Sequence, residues 1–450
     1  MAGGALFEHD RVRRHWVDFR LGYQPSFDGL RGIGVTTFIL YHCIIAFEHE
    51  NQSWFLPGAY LWLELFFVQS GFLITSLLLD EWYRTGEMRL RNFYARRALR
   101  LLPALLAVVL FTVIALLTFS PYGEKRGAWQ EVWGALLYYQ NWLGAFGTTR
   151  FPFYLSHVWS LSIEEQFYLV APIGIVVLLA WQRSLRRAIP FIVVGVLASV
   201  VWMGVMASHT YHPLHLQRLY YGTDTRLQAL LVGVVLAFAV HSGLWLRSGP
   251  RHDRIAKVWG LVGFTVLVVM LFTANLRTTG WYYGGFLLCS VSVAGILSEL
   301  IRHPDGRLAR FLAWKPFQLT GEMTYGLYLW HWPTIMVVDQ YTDWPEFPTI
   351  ALQVVVSFVV ATISYRYLER PILDRWAPRF PRATPERIAA HRQRMAEVDA
   401  GSADGAATPL PTPSPPPAAG VAAEAAPQVE VGDRDGDGDA RPAPSATPVA

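Results

Sequence analysis

Long apolar blocks separated by short charged stretches dominate the chain, and only weak alternation of apolar and polar positions is visible. A membrane-crossing helix needs roughly 20 predominantly apolar residues. By that measure candidate spans lie near 30–46, 60–79, 99–119, 159–181, 189–207, 227–244, 258–274, 281–300, 323–339 and 349–368. A shorter aromatic stretch, EVWGALLYYQNWLG at 131–144, needs a separate decision. The loops supply it. Segments 80–100, 182–188, 245–257 and 301–322 are rich in Lys and Arg, whereas 47–59 and 340–348 carry none and 120–158 carries three. Basic loops stay in the cytoplasm, and the two kinds of loop alternate correctly only if 131–144 does not cross. The pattern predicts an all-α integral membrane protein: about ten transmembrane helices, an interfacial or re-entrant helix near 131–144 with Trp and Tyr at the headgroup layer, and both termini in the cytoplasm of a plasma-membrane protein.

Composition agrees. The 450 residues are 53% hydrophobic and include 18 Trp, 20 Tyr and 26 Phe, more than most soluble enzymes carry. The two cysteines, Cys43 and Cys289, both lie in apolar runs, which excludes a disulfide framework and a four-ligand zinc site; no metal is expected. A net charge of +4 reads as membrane topology, with no nucleic-acid partner implied. Residues 1–24 are arginine-rich and lack the apolar core of a secretory signal, so they are expected to stay as a cytoplasmic segment. The transmembrane domain is expected over 25–375. Residues 376–450 read as a basic juxtamembrane segment followed by a Pro, Ala and Gly-rich tail unable to bury enough apolar surface to fold. Within the tail, Asp433, Asp435, Asp437 and Gly438 match half of a calcium loop, but Pro444 stands where the closing Glu belongs, and the stretch reads as a solvated linker.

Charged side chains at bilayer depth cost about 2.5–3.5 kcal/mol each on insertion scales, so the polar residues inside spans carry the functional information. In FDGLRGIGVTTFILYHC, Asp28, Arg31, Val35, Phe38 and His42 fall near one helical stripe. Arg31 and His42 are nearly eclipsed, with a rise of about 17 Å between them. Asp28 reads as a helix cap, Arg31 as a cytoplasmic anchor facing a passage, and His42 as a candidate for chemistry. In RNFYARRALRLLP, Arg97 and Arg100 share a face and suit phosphate or pyrophosphate, or equally lipid headgroups. In HVWSLSIEEQFYL, Ser162 and Glu165 have capping-box spacing, which leaves Glu164 as a carboxylate without a local role and a candidate base or histidine partner. Asp224 and Arg226 form either a local ion pair or a polar contact with an acceptor. Tyr325, Tyr328 and His331 precede Pro333 and serve either as an interface belt or in the site.

Six ordered motifs, FDGLRGIGVTTFILYH, LFFVQSGFLIT, RNFYARRALRLLP, WSLSIEEQFYL, TDTRLQALLVG and TYGLYLWHWP, give residues 25–375 a resemblance to the membrane-bound acyltransferase family 3. That family acylates surface polysaccharides, peptidoglycan, other envelope glycans, glycolipids and macrolides. The resemblance implies acyl-CoA, commonly acetyl-CoA, as a cytoplasmic co-substrate with no bound cofactor. It also implies a catalytic His42, an RxxR pair at Arg97 and Arg100 that helps hold the donor, and Glu164 as the recurring motif glutamate. Arg31 and Ser70 are assigned with the donor, and Glu165, Asp224, Arg226, Tyr328 and His331 with the acceptor or in support. Glu64 replaces the family's usual Asp, and Gln69 a common Leu. Many relatives carry a C-terminal SGNH hydrolase domain; here acyl transfer is expected to be completed by the membrane part alone or with a second protein. The expected mechanism has His42 take a proton from a glycan, glycolipid or small-molecule hydroxyl, with Glu164 steadying the imidazolium, or else carry the acyl group itself. A transporter or flippase for a polar envelope precursor is the alternative, and it predicts paired broken helices for which no internal repeat is visible.

Overall fold

The first helix starts at a proline, where the missing N–H is no loss, and runs over Pro25–Phe47 as α1. A computed structural model describes residues 19–47, 55–118, 125–147, 154–209, 213–245, 249–275 and 278–404. Residues 1–18 and the calcium-like stretch at 433–440 lie outside the described residues. After α1 come α2 (Trp62–Thr85), α3 (Leu90–Thr118), the short α4 (Lys125–Leu136) and α5 (Gln140–Ala145), α6 (Trp159–Gln182), α7 (Leu185–Ser208), the short α8 (Pro213–Tyr221) and α9 (Thr223–His241). The chain continues through α10 (Pro250–Thr273), α11 (Gly285–Arg302), the short α12 (Arg307–Leu312) and α13 (Lys315–Glu322), α14 (Thr324–Tyr341), α15 (Glu346–Ser364), α16 (Arg370–Trp376) and α17 (Pro385–Asp404). No strand occurs among the described residues. Residues through Met395 make one compact unit, and those from Ala396 onward a second.

Nine helical stretches among the described residues are long and apolar enough to cross a membrane. The tenth expected span exists as the 18-residue α14, but its Tyr, Trp, His and Asp residues lower its hydropathy. It is packed against α1 and α15, and a helix wrapped by protein has no need to be uniformly apolar. The segment near 131–144 is realised as α4 and α5, of 12 and 6 residues, about 18 and 9 Å long and too short to cross. Several helices extend past the expected spans. α3 begins at Leu90 and α9 at Thr223, so Arg97, Arg100, Asp224 and Arg226 sit inside helices whose charged first turns hydropathy does not register.

The centre is α2 and α9. In α2 the apolar window is 78% buried, against 22% in α7, which places α2 in the core and gives α7 a hydrocarbon-facing side with Val194, Leu197 and Val201 exposed. Two glycines let α2 and α9 touch: Gly71 lies against the Leu230 carbonyl and Gly233 against the Val68 carbonyl. Such small-residue contacts drive association where no hydrophobic effect operates between helices. α1 is held in the same way, with Gly29 and Gly32 against the carbonyls of Leu312 and Phe317, and Gly321 of α13 against the carbonyl of Asp28. Between α2, α9 and α11, the fully buried Arg226 and Glu64 approach to 2.7 Å. The Ser290 hydroxyl donates to Glu64 at 2.7 Å, and the guanidinium lies 4.2 Å from the Phe286 ring centroid.

After α16 the chain folds back on the turn between α2 and α3. Asn92 donates to the Pro381 carbonyl at 2.9 Å, Arg96 donates to the Phe380 carbonyl, and Arg387 lies 3.6 Å from Glu81. The start of α17 through Met395 is therefore part of the bundle's own unit.

Replacing Gly233 by Leu pushes a side chain into the Val68 backbone, which cannot yield. Overpacking of this kind costs about 1–3 kcal/mol or more, and the variant should lose folded yield and melt several degrees lower in detergent. At Gly174, on α6, an added Cβ meets nothing within 4 Å, so Gly174→Ala should melt at the native temperature or slightly higher, by up to about 1 kcal/mol of helix propensity.

Candidate active site

A cavity of about 580 Å³ opens at the end of the bundle where α1 begins and α15 ends, a region called the basal end below. Its walls carry Arg31, Arg97, Arg100 and Arg370 beside Asp28, Glu164, Glu322, Glu369 and Asp374. Deeper in lies a chamber of about 70 Å³ walled by Leu63, Phe66, Phe67, Ser160 and Tyr328. Arg31, Ser70, Leu73, Leu161, Glu164 and Tyr325 line both spaces and make up the throat between them.

The RxxR pair divides. Arg97 lies 3.3 Å from Glu165, with its guanidinium 3.4 Å from the Tyr168 ring centroid. Its charge is already answered by a carboxylate and an aromatic face. Arg100, one turn further along α3, has no ion-pair partner among the described residues and faces the cavity. Arg31 pairs only loosely with Asp28, at 4.0 Å. Asp28 lies in the first turn of α1, where a carboxylate favours the helix dipole; it follows the helix start and does not cap it.

The capping box expected at Ser162 and Glu165 does not form. α6 begins earlier, at Trp159 behind a 3₁₀ turn, and the Ser162 hydroxyl donates back to the Val158 carbonyl at 3.3 Å. Glu165 is free of a capping role and serves Arg97. Glu164 accepts from the Ser70 hydroxyl at 3.1 Å and from the Tyr168 hydroxyl, one helical turn along α6, at 3.1 Å. The expected contact between Glu164 and His42 is absent: Glu164 belongs to the throat.

His42 meets other histidines. Its Nδ1 is 2.8 Å from Nε2 of His331, and the two rings are within 3° of parallel with centroids 5.1 Å apart. His331, fully buried on α14, has its Nδ1 2.6 Å from the Tyr328 carbonyl. The His157 ring stands edge-on to His331 at 5.1 Å, with its Nε2 3.2 Å from the Leu329 carbonyl. The Tyr328 hydroxyl donates to the His157 carbonyl and accepts from the Ser160 hydroxyl. Phe38 packs against His42 at 4.2 Å and stacks on Tyr328 at 6.0 Å. The stripe from Arg31 to His42 is thus an open wall only at Arg31, since Val35 and Phe38 are buried in packing.

Other expected residues lie elsewhere. Asp224 and Arg226 do not pair with each other. Asp224 takes both terminal nitrogens of Arg218, at 2.9 and 2.7 Å, and the Trp202 indole N–H at 2.7 Å. Arg226 is sealed against Glu64, and neither it nor Glu64 is exposed to an acceptor. Gln69 donates to the Phe27 carbonyl at 3.2 Å and edges the chamber. Three residues of the site went unassigned by pattern: His157, Tyr168 and Arg370. Tyr168 had a signal, its i, i+4 spacing from Glu164. His157 precedes its helix, where no periodicity marks a face. Among the described residues no cluster of His, Cys, Asp and Glu has the arrangement of a metal site.

Comparison with known proteins follows the same motifs. The profile of an acyltransferase domain, acyltransferase 3, matches residues 24–367. The O-acetyltransferase OatA of Staphylococcus aureus is 35% identical over 368 residues, covering 78% of this chain and 57% of the relative. The peptidoglycan O-acetyltransferase OatA of Listeria monocytogenes is 33% identical over 360 residues, covering 78% and 56%. This chain therefore spans little more than half the length of those relatives. No solved structure matches. With its transmembrane bundle matched almost end to end, the chain belongs to the membrane-bound acyltransferase 3 family.

Proposed function

We propose that the protein O-acetylates a cell-envelope glycan, peptidoglycan being the acceptor best supported by the relatives' names, with acetyl-CoA as the donor. The observation that carries this reading is the series of spaces from an arginine-lined basal cavity, through a polar throat, to a chamber walled by Tyr328, whose ring shares Phe38 with His42. The basic loops support a cytoplasmic basal end, which is where acetyl-CoA is available.

In this reading Arg100 and Arg31, with Arg370 at the rim, meet the phosphates of the donor through charge-assisted hydrogen bonds. Arg97 acts one step removed, holding Glu165 and Tyr168 so that Glu164 and Ser70 stay in the throat, where the amides of the pantetheine arm pass. The chamber of about 70 Å³ suits a short acyl group, which reaches His42 when the Phe38 ring turns aside. An acceptor hydroxyl then adds to the thioester carbonyl carbon while His42 takes its proton. Collapse breaks the C–S bond, and the proton passes from His42 to the departing CoA thiolate. An acyl-histidine route differs in kinetics, giving ping-pong behaviour.

Purified protein in liposomes, given acetyl-CoA and a muropeptide or chito-oligosaccharide acceptor, should release CoA and O-acetylate the sugar. His42→Ala should lower that rate by about 10²- to 10⁴-fold, the range for removal of a general base, in protein that still folds but melts somewhat lower, since His331 loses its partner. Near-native turnover in that variant would overturn the assignment, and transport of the acceptor without CoA release would favour a flippase.

The divided arginines give a second expectation. Arg100→Ala should raise KM for acetyl-CoA by about 10-fold or more, the equivalent of one charged hydrogen bond of about 1.5–3 kcal/mol, and leave acceptor KM unchanged. Arg97→Ala strands Glu165 and should lower kcat and thermal stability together; equal, purely donor-KM effects of both variants would contradict the division.

A further inference from the structure

We infer that His331 is a positioning residue which fixes the tautomer of His42, so that Nε2 of His42 is the nitrogen that exchanges protons with the substrates. The geometric argument is independent of the acyl-transfer reading; only its kinetic consequence rests on it.

Start from the Tyr328 carbonyl. It can only accept, and His331 Nδ1 lies 2.6 Å from it, so that nitrogen carries a hydrogen. The His331 ring is completely buried, and its neighbours are Phe38, Tyr328, His157 and His42. No carboxylate is among them to balance an imidazolium, and an unpaired buried charge is strongly disfavoured. His331 is therefore neutral, and its Nε2 is a bare lone pair. That lone pair faces His42 Nδ1 at 2.8 Å in nearly coplanar rings, the in-plane geometry of an N–H···N hydrogen bond. Nδ1 of His42 must supply the hydrogen. The remaining nitrogen of His42, Nε2, is left as the lone pair.

The consequence is an orienting chain from backbone to base: the Tyr328 carbonyl sets His331, and His331 sets His42. A base oriented by a third group is a recurring logic of such sites. Here the third group is a second imidazole, itself pinned by a main-chain oxygen, and Glu164 plays no part in it. When His42 accepts the hydroxyl proton at Nε2, its Nδ1–H remains bonded to His331 throughout, so the ring does not need to turn between taking the proton and returning it to the CoA thiolate.

The test uses the full chain in nanodiscs with ¹⁵N-labelled histidine. Native protein should show at least two neutral histidines protonated at Nδ1, those of His331 and His42; the signal lost in His42→Gln is that of His42, and in His331→Leu the His331 signal should vanish while the His42 signal converts to an Nε2–H or averaged form. Finding His42 protonated at Nε2 in the native protein, or its signal untouched by His331→Leu, overturns the inference. Two further variants guard against a folding defect. In His331→Gln the side-chain oxygen can stand where Nε2 stood, whereas Asn keeps a donor toward Tyr328 but is too short to reach His42. His331→Asn should cut kcat by about 10²-fold or more, within the roughly 10⁴-fold known for a wrong tautomer, with donor KM within about 2-fold of native, and His331→Gln should recover most of the loss. Equal kcat in the Asn and Gln variants overturns the inference. If the Nδ1–H signal behaves as described but native protein transfers no acetyl group, the tautomer assignment stands and the acyl-transfer reading falls.

Discussion

Hydrocarbon offers no hydrogen bonds, so every polar side chain drawn inside this bundle has to be answered by another group of the protein. Much of the architecture can be traced to that demand. Arg226 is answered by Glu64, which also receives Ser290, and this pair ties α2, α9 and α11 at the far end. Arg97 is answered by Glu165 and Tyr168, joining α3 to α6. His331 is answered by a main-chain carbonyl one turn back on its own helix and by His42, joining α14 to α1. Arg100, which has no ion-pair partner among the described residues, lines a cavity.

This sorting separates two kinds of charge that look alike in sequence. Arg97 and Arg100 are three residues apart on one helix and both line the basal cavity, yet Arg97 is held by Glu165 and Tyr168 while Arg100 has no ion-pair partner among the described residues. Glu164 and Glu165 are adjacent yet differ in their partners: Glu165 neutralises an arginine, while Glu164 accepts two hydroxyls and lines both the cavity and the chamber. A helix turns 100° per residue, so neighbours in sequence face different surroundings, and only the packing of other helices determines what each meets.

The number of long helices, the failure of 131–144 to cross, and the family were all legible in the chain, because block hydropathy and motif order are local properties. His42 and Glu164 stood out as polar residues in apolar company. Ser70 and His331 were named as well, but the pairings were not legible. The contact between His42 and His331 joins residues 289 positions apart, and no local pattern encodes it. The supposed capping box failed because a 3₁₀ turn lets α6 start three residues ahead of Ser162, and hydropathy does not register 3₁₀ turns. α14 fell below the others in hydropathy for a reason visible only in three dimensions, its burial among helices.

The glycines of α1 have a consequence beyond close packing. Gly29 and Gly32 press on two separate carbonyls of the short helices beside them, and Gly321 presses back on the α1 backbone. Three contacts on one face index the angle of the rod, as a key indexes a shaft. A slip of one residue would rotate α1 by about 100°. The imidazole of His42, more than two turns beyond these contacts, would then point to a different helix. The smallest side chains in the protein, placed at the opposite end of α1, thereby aim the His42 ring at His331.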